Sequence, residues 1–413
     1  MAYYCHNKPL KGIFTMRSNL TLRYSLHQFA YWAASAGIIS FATTFLLEKG
    51  FPSSRVGLLM ACASLLSGVT QPNLASVADR SERCILSPLI VALTAACTLC
   101  FSLLLLDSLP SGVFALLYLC GVWSFDSMMP LLNALHIHYS NQGYRINYGL
   151  ARGVGSLSYS LSALALGHII ESMGPNWMVR SILLLLPLCI LITLSYPQGG
   201  RNIPEARESH PQPVEVSSLF SFFLRYRWYC LSLIGVLLLA MFHSMTENYL
   251  IAIMGRLGGD SRHVGVALFV ATVTEAAVLV FFDRIRRRIS DHWLLRYAAF
   301  SFLLKSVLML IAPSIPFLYA VQLLQMTSYA FLSPVQVYYA SEKVAPADMV
   351  KGQAFITASY TLGCAMGNLV GGVLMESFGV VAILVAGVVI AALGTIVLLL
   401  TVDRQDTYRL THS

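Results

Sequence analysis

Charge is scarce in this chain. Lys, Arg, Asp and Glu make up 11% of 413 residues against 57% hydrophobic residues, with a mean hydropathy of +0.69. A water-soluble globule of this length carries charge on roughly a quarter of its residues, so that class is excluded. Nucleotide-binding loops of the G-x-x-x-x-G-K-[ST] type are absent, which argues against an ATP-driven pump, and no nucleophile stands with a base at motif spacing, so no enzymatic activity is expected. Period-two alternation is missing, which excludes barrel strands. The first twenty residues lack a short apolar core followed by a small-residue cleavage site, so no cleavable signal peptide is expected. Nine cysteines include Cys97 and Cys100 at C-x-x-C spacing, but both fall in an apolar run without flanking ligands and suggest neither zinc nor redox chemistry. His136 and His138 are two apart and diverge on a helix, so no metal and no cofactor is expected.

What is present is a series of apolar runs, each long enough to cross a hydrocarbon layer roughly 30 Å thick at about 1.5 Å per residue. Twelve spans are predicted, at 20–47, 54–77, 84–106, 111–138, 147–171, 176–196, 228–254, 262–282, 291–312, 315–340, 349–375 and 379–401. The chain is therefore read as an all-α polytopic membrane protein. With the amino terminus inside, nineteen Lys and Arg fall in inner loops and ends against five in outer loops, which places both termini in the cytoplasm. The net charge of +8 is mostly this bias and implies no nucleic-acid partner.

One long polar stretch, Tyr196 to Val216, is rich in Pro, Gly and charge and reads as a linker. It divides the chain into an N-terminal six-helix bundle (1–196), a cytoplasmic linker (197–226) and a C-terminal six-helix bundle (227–413). The halves repeat each other. Asp79-Arg80 with Arg83 recurs as Asp283-Arg284 with Arg287, an offset of 204 residues, and Glu171-Ser-Met-Gly174 recurs as Glu376-Ser-Phe-Gly379, an offset of 205. Such duplication builds a substrate site between two bundles near the membrane midplane, with access alternating as the halves rock. Gly363, Gly367 and Gly371 form a small-residue stripe that lets a neighbouring helix approach.

Three charges lie inside apolar runs: Arg152, Glu275 and Lys305. Intramembrane charge is costly and marks functional sites. Arg152 and Tyr159 are seven residues apart, about two turns, and share a face. The bland alternatives are a structural Arg152–Asp126 pair, a snorkelling Arg152, and a structural pair of Lys305 with Glu275 or Glu247. Further polar and aromatic candidates for a cavity wall are Tyr31, Trp32, Gln71, Asn133, His243, Asn248, Gln325, Tyr329, Gln336 and Asn368, and His243 stands one turn before Glu247.

Over nearly its whole length the chain resembles the major facilitator superfamily. Ala75-Ser-Val-Ala-Asp79-Arg80-Ser-Glu-Arg83 looks like the signature G-x-L-A-D-R-x-G-R, with Ala75 and Glu82 replacing glycines. Gln71-Pro72, Pro130-Leu-Leu-Asn133, Tyr148-Gly149 with Arg152 and Gly155-Ser156, and Glu275 followed by Arg284, Arg287 and Arg288 resemble the branch of lactose, sucrose, nucleoside and phenylpropionate permeases. The resemblance implies substrate binding by Arg152, Tyr159, Asn133, Glu275, Gln325 and Lys305, and a monomer. It also makes Asp79, Arg80 and Arg83 gating residues rather than ligands. The branch's proton symporters carry His and Glu in the tenth span, where this chain has Gln325 and Ser328. Neither side chain carries a proton near neutrality, so Glu275, Glu247 and Asp126 are the coupling candidates.

The expected function is secondary transport of a small polar solute, a sugar or glycoside, taken up with protons through the cytoplasmic membrane. The competing readings are a nucleoside or aromatic-carboxylate permease, an exporter of amphiphilic compounds, and a transport-dead sensor.

Overall fold

The computed structural model describes residues 11–79, 86–106, 108–141, 144, 146–196 and 219–404. Eleven of its helices are long and apolar enough to cross a membrane, and a bent pair at the amino end, kinked by 47°, makes a twelfth. The spans are α1 (Lys11–Ser35, a π-turn at Ala36–Ser40, then Ala42–Glu48), α2 (Ser53–Asp79), α3 (Leu86–Leu103) and α4 (Ser111–Asp126 with Met128–Asn141). They continue as α5 (Tyr148–Met173), α6 (Asn176–Leu194), α7 (Arg227–Asn248 with Leu250–Gly255) and α8 (Ser261–Arg286). The last four are α9 (Asp291–Ile311), α10 (Ile315–Gln322, a 3-10 turn at Leu323–Met326, then Tyr329–Lys343), α11 (Met349–Phe378) and α12 (Val380–Thr401). The carboxyl end of the expected linker is itself helical, at Leu219–Arg225, because its Leu-Phe-Ser-Phe-Phe run buries Phe222 against Tyr226 and Phe355. Arg80 and Arg83, assigned to gating, lie outside the described residues, as does the side chain of Asp79.

The sequence reading treats each span as one regular helix, and four are interrupted. The breaks fall at Ala36–Phe41 in α1, Ser127 in α4, Tyr249 in α7 and Leu323–Ser328 in α10. Irregular backbone at membrane depth survives only where protein or a water-lined cavity satisfies its polar groups. These breaks flank a single cavity.

Two helix pairs join the halves, α2 with α11 and α5 with α8. Both pack backbone to backbone at the end of the bundle away from the chain termini. A Cβ built on Gly372 would lie 3.1 Å from the Cα of Gly57, and one on Gly167 would lie 3.0 Å from the Cα of Gly265. The repeated Glu-Ser-x-Gly motifs complete this closure in a pseudo-symmetric way. Glu171 Oε2 accepts from the Ser261 amide at 3.2 Å, at the start of α8, and Glu376 Oε2 accepts from the Ser54 amide at 2.9 Å, at the start of α2. Each carboxylate thus caps a helix N-terminus of the other half, where orphan amides and the helix dipole favour negative charge. Gly174 and Gly379, which follow in the two motifs, turn the chain at φ 91° and 77°. At the other end of α5 a Cβ on Gly153 would meet open space. The two halves are closed against each other at the far end.

Within the C-terminal half the glycine stripe of α11 packs on α7: Gly363 against Leu237 and Ala240, Gly367 against Met241, Gly371 against Met245 and Tyr249. Gly367→Val forces two buried helices apart and is expected to cost about 1–3 kcal/mol. A thermal-shift measurement on the purified protein checks this, and an unchanged Tm would show that the pair can slide.

Candidate functional site

Between the halves lies a cavity of about 380 Å³. Its wall includes Trp32, Ser64, Asp126, Arg152, Ser156 and Tyr159 from the N-terminal half, and His243, Glu247, Asn248, Glu275, Gln325, Tyr329, Tyr360, Cys364 and Asn368 from the C-terminal half. Its size matches small-molecule sites, which run from roughly 300 to 1,000 Å³.

One wall is an aromatic plate holding a cation. The Arg152 guanidinium lies over the Trp32 ring at 4.1 Å and donates to Ser156 Oγ at 2.9 Å. Trp32 is held in turn: its Nε1 donates to Gln28 Oε1 at 2.9 Å, and Gln28 Nε2 donates to Tyr24 Oη at 2.9 Å. Gly155 permits the arrangement, since any Cβ there would press into the indole. Tyr159 meets Trp32 edge-on at 6.4 Å and bonds Ser40 Oγ through its hydroxyl. No carboxylate lies within 4.0 Å of Arg152 among the described residues, so the pair with Asp126 is unrealised, and the guanidinium stays on Trp32 at the cavity wall. Asp126 instead accepts from Ser67 Oγ at 3.3 Å, while Gln71 Nε2 donates to its backbone carbonyl at 3.1 Å.

The opposite wall holds two carboxylates and an amide bridge. Lys305 Nζ donates to Gln325 Oε1 at 2.8 Å, and Gln325 Nε2 donates to Glu275 Oε2 at 3.4 Å. Lys305 is only 2% exposed and stands behind Gln325, outside the cavity wall. Its expected contact with substrate is therefore replaced by a contact with Gln325, and the pair with Glu275 is indirect. Glu247 Oε2 lies 3.8 Å from His243 Nε2, and the imidazole stacks on Tyr329 at 4.7 Å. Beyond them Ser244 Oγ donates to Asn368 Oδ1 at 2.7 Å and Asn248 Nδ2 bonds the same oxygen.

Of the six expected substrate residues, Arg152, Tyr159, Glu275 and Gln325 are brought together at the cavity, Lys305 stands one side chain behind it, and Asn133 does not reach it. Asn133 sits beyond the α4 break and off the cavity wall, and its Oδ1 is buried without a hydrogen-bond partner. The coupling candidates Asp126, Glu247 and Glu275 all line the cavity. Tyr31 is buried and stacked on Phe125 at 4.5 Å instead of facing it, and Gln71 and Gln336 are likewise off the wall. Ser35, Ser156, Ser244, Thr272, Tyr360 and Cys364 line it without having been expected. Small hydroxyl residues inside apolar helices more often bond their own backbone, as Thr272 does to Leu268 at 2.8 Å, so sequence alone gives no signal for them.

A family model, MFS_1 like family, matches residues 21–386. The chain belongs to that family. Its members are transporters of the major facilitator superfamily, and the helical fold agrees. A maltose permease of Geobacillus stearothermophilus is 24% identical over 389 residues, covering 93% of this chain and 95% of that protein. Among solved structures, a mutant form of the nucleoside transporter NupG is similar with a TM-score of 0.78 at 13% identity, covering 93% of this chain and 100% of that one. A bacterial homolog of the human lysosomal transporter Spinster, inward-facing and occupied, is similar with a TM-score of 0.68 at 15% identity, covering 96% and 97%. These structural likenesses establish the fold of this MFS_1 like protein.

Proposed function

We propose that this transporter moves a sugar or glycoside across the cytoplasmic membrane with protons, working as a monomer with both termini in the cytoplasm. The observation that carries the reading is the unpaired Arg152 guanidinium fixed flat on Trp32 at the cavity wall. A planar fork donates in pairs to vicinal hydroxyls, and an aromatic face beside it accepts the apolar face of a pyranose. Facing it, the Asn248, Asn368 and Ser244 cluster supplies both donors and acceptors, as a polyhydroxyl ligand needs. The likeness to a maltose permease over nearly the whole chain supports a sugar. With the termini inside, the closed far end is the outer one, which supports an inward-facing state in an alternating-access cycle.

A nucleoside is the second reading. Trp32 and Tyr159 would take a base as readily as a sugar ring, and the fold is similar to that of a nucleoside transporter.

External pH in a lightly buffered suspension of de-energised cells tests both readings, with maltose, other sugars, nucleosides and aromatic acids added one at a time. Alkalinisation with a sugar, lost in Arg152→Ala, is expected. Alkalinisation with nucleosides alone selects the second reading, and labelled-sugar flux without any pH change removes the proton.

A further inference from the structure

The charges around the cavity do not balance. Asp126, Glu247 and Glu275 face it, while the cations are Arg152 on its wall and Lys305 directly behind Gln325: three carboxylates against two fixed positive charges. Buried charge without compensation is costly, so one further proton belongs to this cluster.

The geometry says where. Glu275 is tied to Lys305 through the Gln325 amide, whose oxygen takes the ammonium proton and whose nitrogen donates to the carboxylate. Glu275 thus has a hydrogen-bond donor from the protein itself. Asp126 likewise has one, from Ser67 Oγ at 3.3 Å. Glu247 differs from both: among the described residues it accepts no hydrogen bond, and its near neighbour is His243 at 3.8 Å. The Glu247 side chain keeps 32% of its surface open to the cavity, whereas that of His243 keeps 10%, and His243 Nδ1 is buried without a partner. Both side chains line the cavity, and the carboxylate is the more open of the two to its water.

We propose that Glu247 is the proton-carrying acid of transport and that His243 is its positioning residue, so that coupling has moved from the tenth helix to the seventh. This rests on the proton-coupled reading above. The groups facing the pair are Lys305 on α9, Glu275 on α8, Tyr329 on α10, Tyr360 and Cys364 on α11, and Tyr159 on α5. Lys305 reaches both acids electrostatically. Loss of the proton from Glu247 therefore draws the ammonium toward α7 and away from the Gln325–Glu275 chain, which links the proton to the residues that meet substrate. The step is a plain transfer: water on the cavity side gives H+ to Glu247 Oε2, and the same O–H bond breaks when the cavity faces the other membrane side.

Two measurements test it. In the first, reconstituted protein is followed by pH-driven infrared difference spectroscopy, which needs no substrate. A carboxylic C=O band that comes and goes with pH is expected in the wild type, is lost in Glu247→Gln, and has a displaced pH midpoint in His243→Asn. A band that survives in Glu247→Gln overturns the assignment, and an unmoved midpoint in His243→Asn reduces His243 to packing. In the second, labelled maltose is followed in proteoliposomes. Glu247→Gln loses proton-driven accumulation while losing less of its exchange between equal pools, whereas Glu275→Gln loses both together. The reverse pattern transfers coupling to Glu275. A wild type that moves maltose without proton flux fails the proton-coupled reading itself, and a pH-sensitive Glu247 band in that protein would mark a gating acid instead of a coupling one.

Discussion

Arg152→Ala abolishes transport and weakens substrate binding by roughly 30- to 1,000-fold. The figure follows from losing a charge-assisted hydrogen-bond pair together with a stacked cation, about 2–4 kcal/mol in all. Trp32 has its own support from Gln28 and Tyr24, so the plate survives and the loss is confined to the cation. Arg152→Lys keeps the charge but neither the fork nor the flat stacking, and is expected to recover at most about tenfold of the affinity. Calorimetric titration with the transported solute, beside flux in proteoliposomes, reads both numbers. If Arg152→Lys bound and transported as well as the wild type, the guanidinium would have no part in recognition, and a simple positive potential in the cavity would explain the site.

Arg152 was legible in the sequence because charge in an apolar run has few innocent explanations. Glu275 was legible for the same reason, and Gln325 because it occupies a position where the resembling family carries an ionisable group. The twelve spans follow from hydropathy and length, and the duplication from two repeated motifs at nearly one offset. What sequence could not show is how the backbone bends at the cavity. Apart from Pro130 just after the α4 break, no proline marks the breaks beside Ser40, Asp126, Asn248 and Gln325. They are set by the tertiary context, through the packing of α1 on α5 and α6 and of α10 on α8 and α9. Asn133 and Lys305 were expected at the site through the family resemblance, and neither lines the cavity. Gln325, on a 3-10 turn, takes the place on the wall and holds Lys305 behind it.

The repeated Glu-Ser-x-Gly motif was read only as evidence of duplication, and its physical role appears when the halves meet. Each Glu reaches across to an amide at the start of a helix in the other half, an interaction worth about 0.3–1 kcal/mol at an exposed helix terminus. Together with four glycines that let α2 meet α11 and α5 meet α8, the two motifs form the closed end. Both contacts must part if the cavity is to open there, so a modest hydrogen bond suits the task better than a strong buried ion pair.

Gly57→Leu and Gly167→Leu accordingly trap the transporter open at the far end. A leucine at Gly57 would drive into the backbone of Asn368 and Gly372 and the Tyr249 hydroxyl, and one at Gly167 into the backbone of Ser261 and Gly265. Overpacking of this kind costs about 1–3 kcal/mol per site, and for a two-state element that is roughly a 5- to 150-fold shift of population. Substrate binding is expected to persist from the far side while transport stops. Cys364, on the cavity wall, reports the change: in a background where the other cysteines are serine, an impermeant maleimide applied from the far side labels it slowly in the parent protein and rapidly in the leucine variants. Glu171→Gln combined with Glu376→Gln moves the labelling rate in the same direction by a smaller factor, since the amide oxygen still accepts but the charge at each helix N-terminus is gone. Leucine variants that transported at the parent rate, with Cys364 still shielded, would mean that the glycine contacts slide past one another during the cycle, and the rocking motion of the halves would have to be replaced by one that never separates α2 from α11.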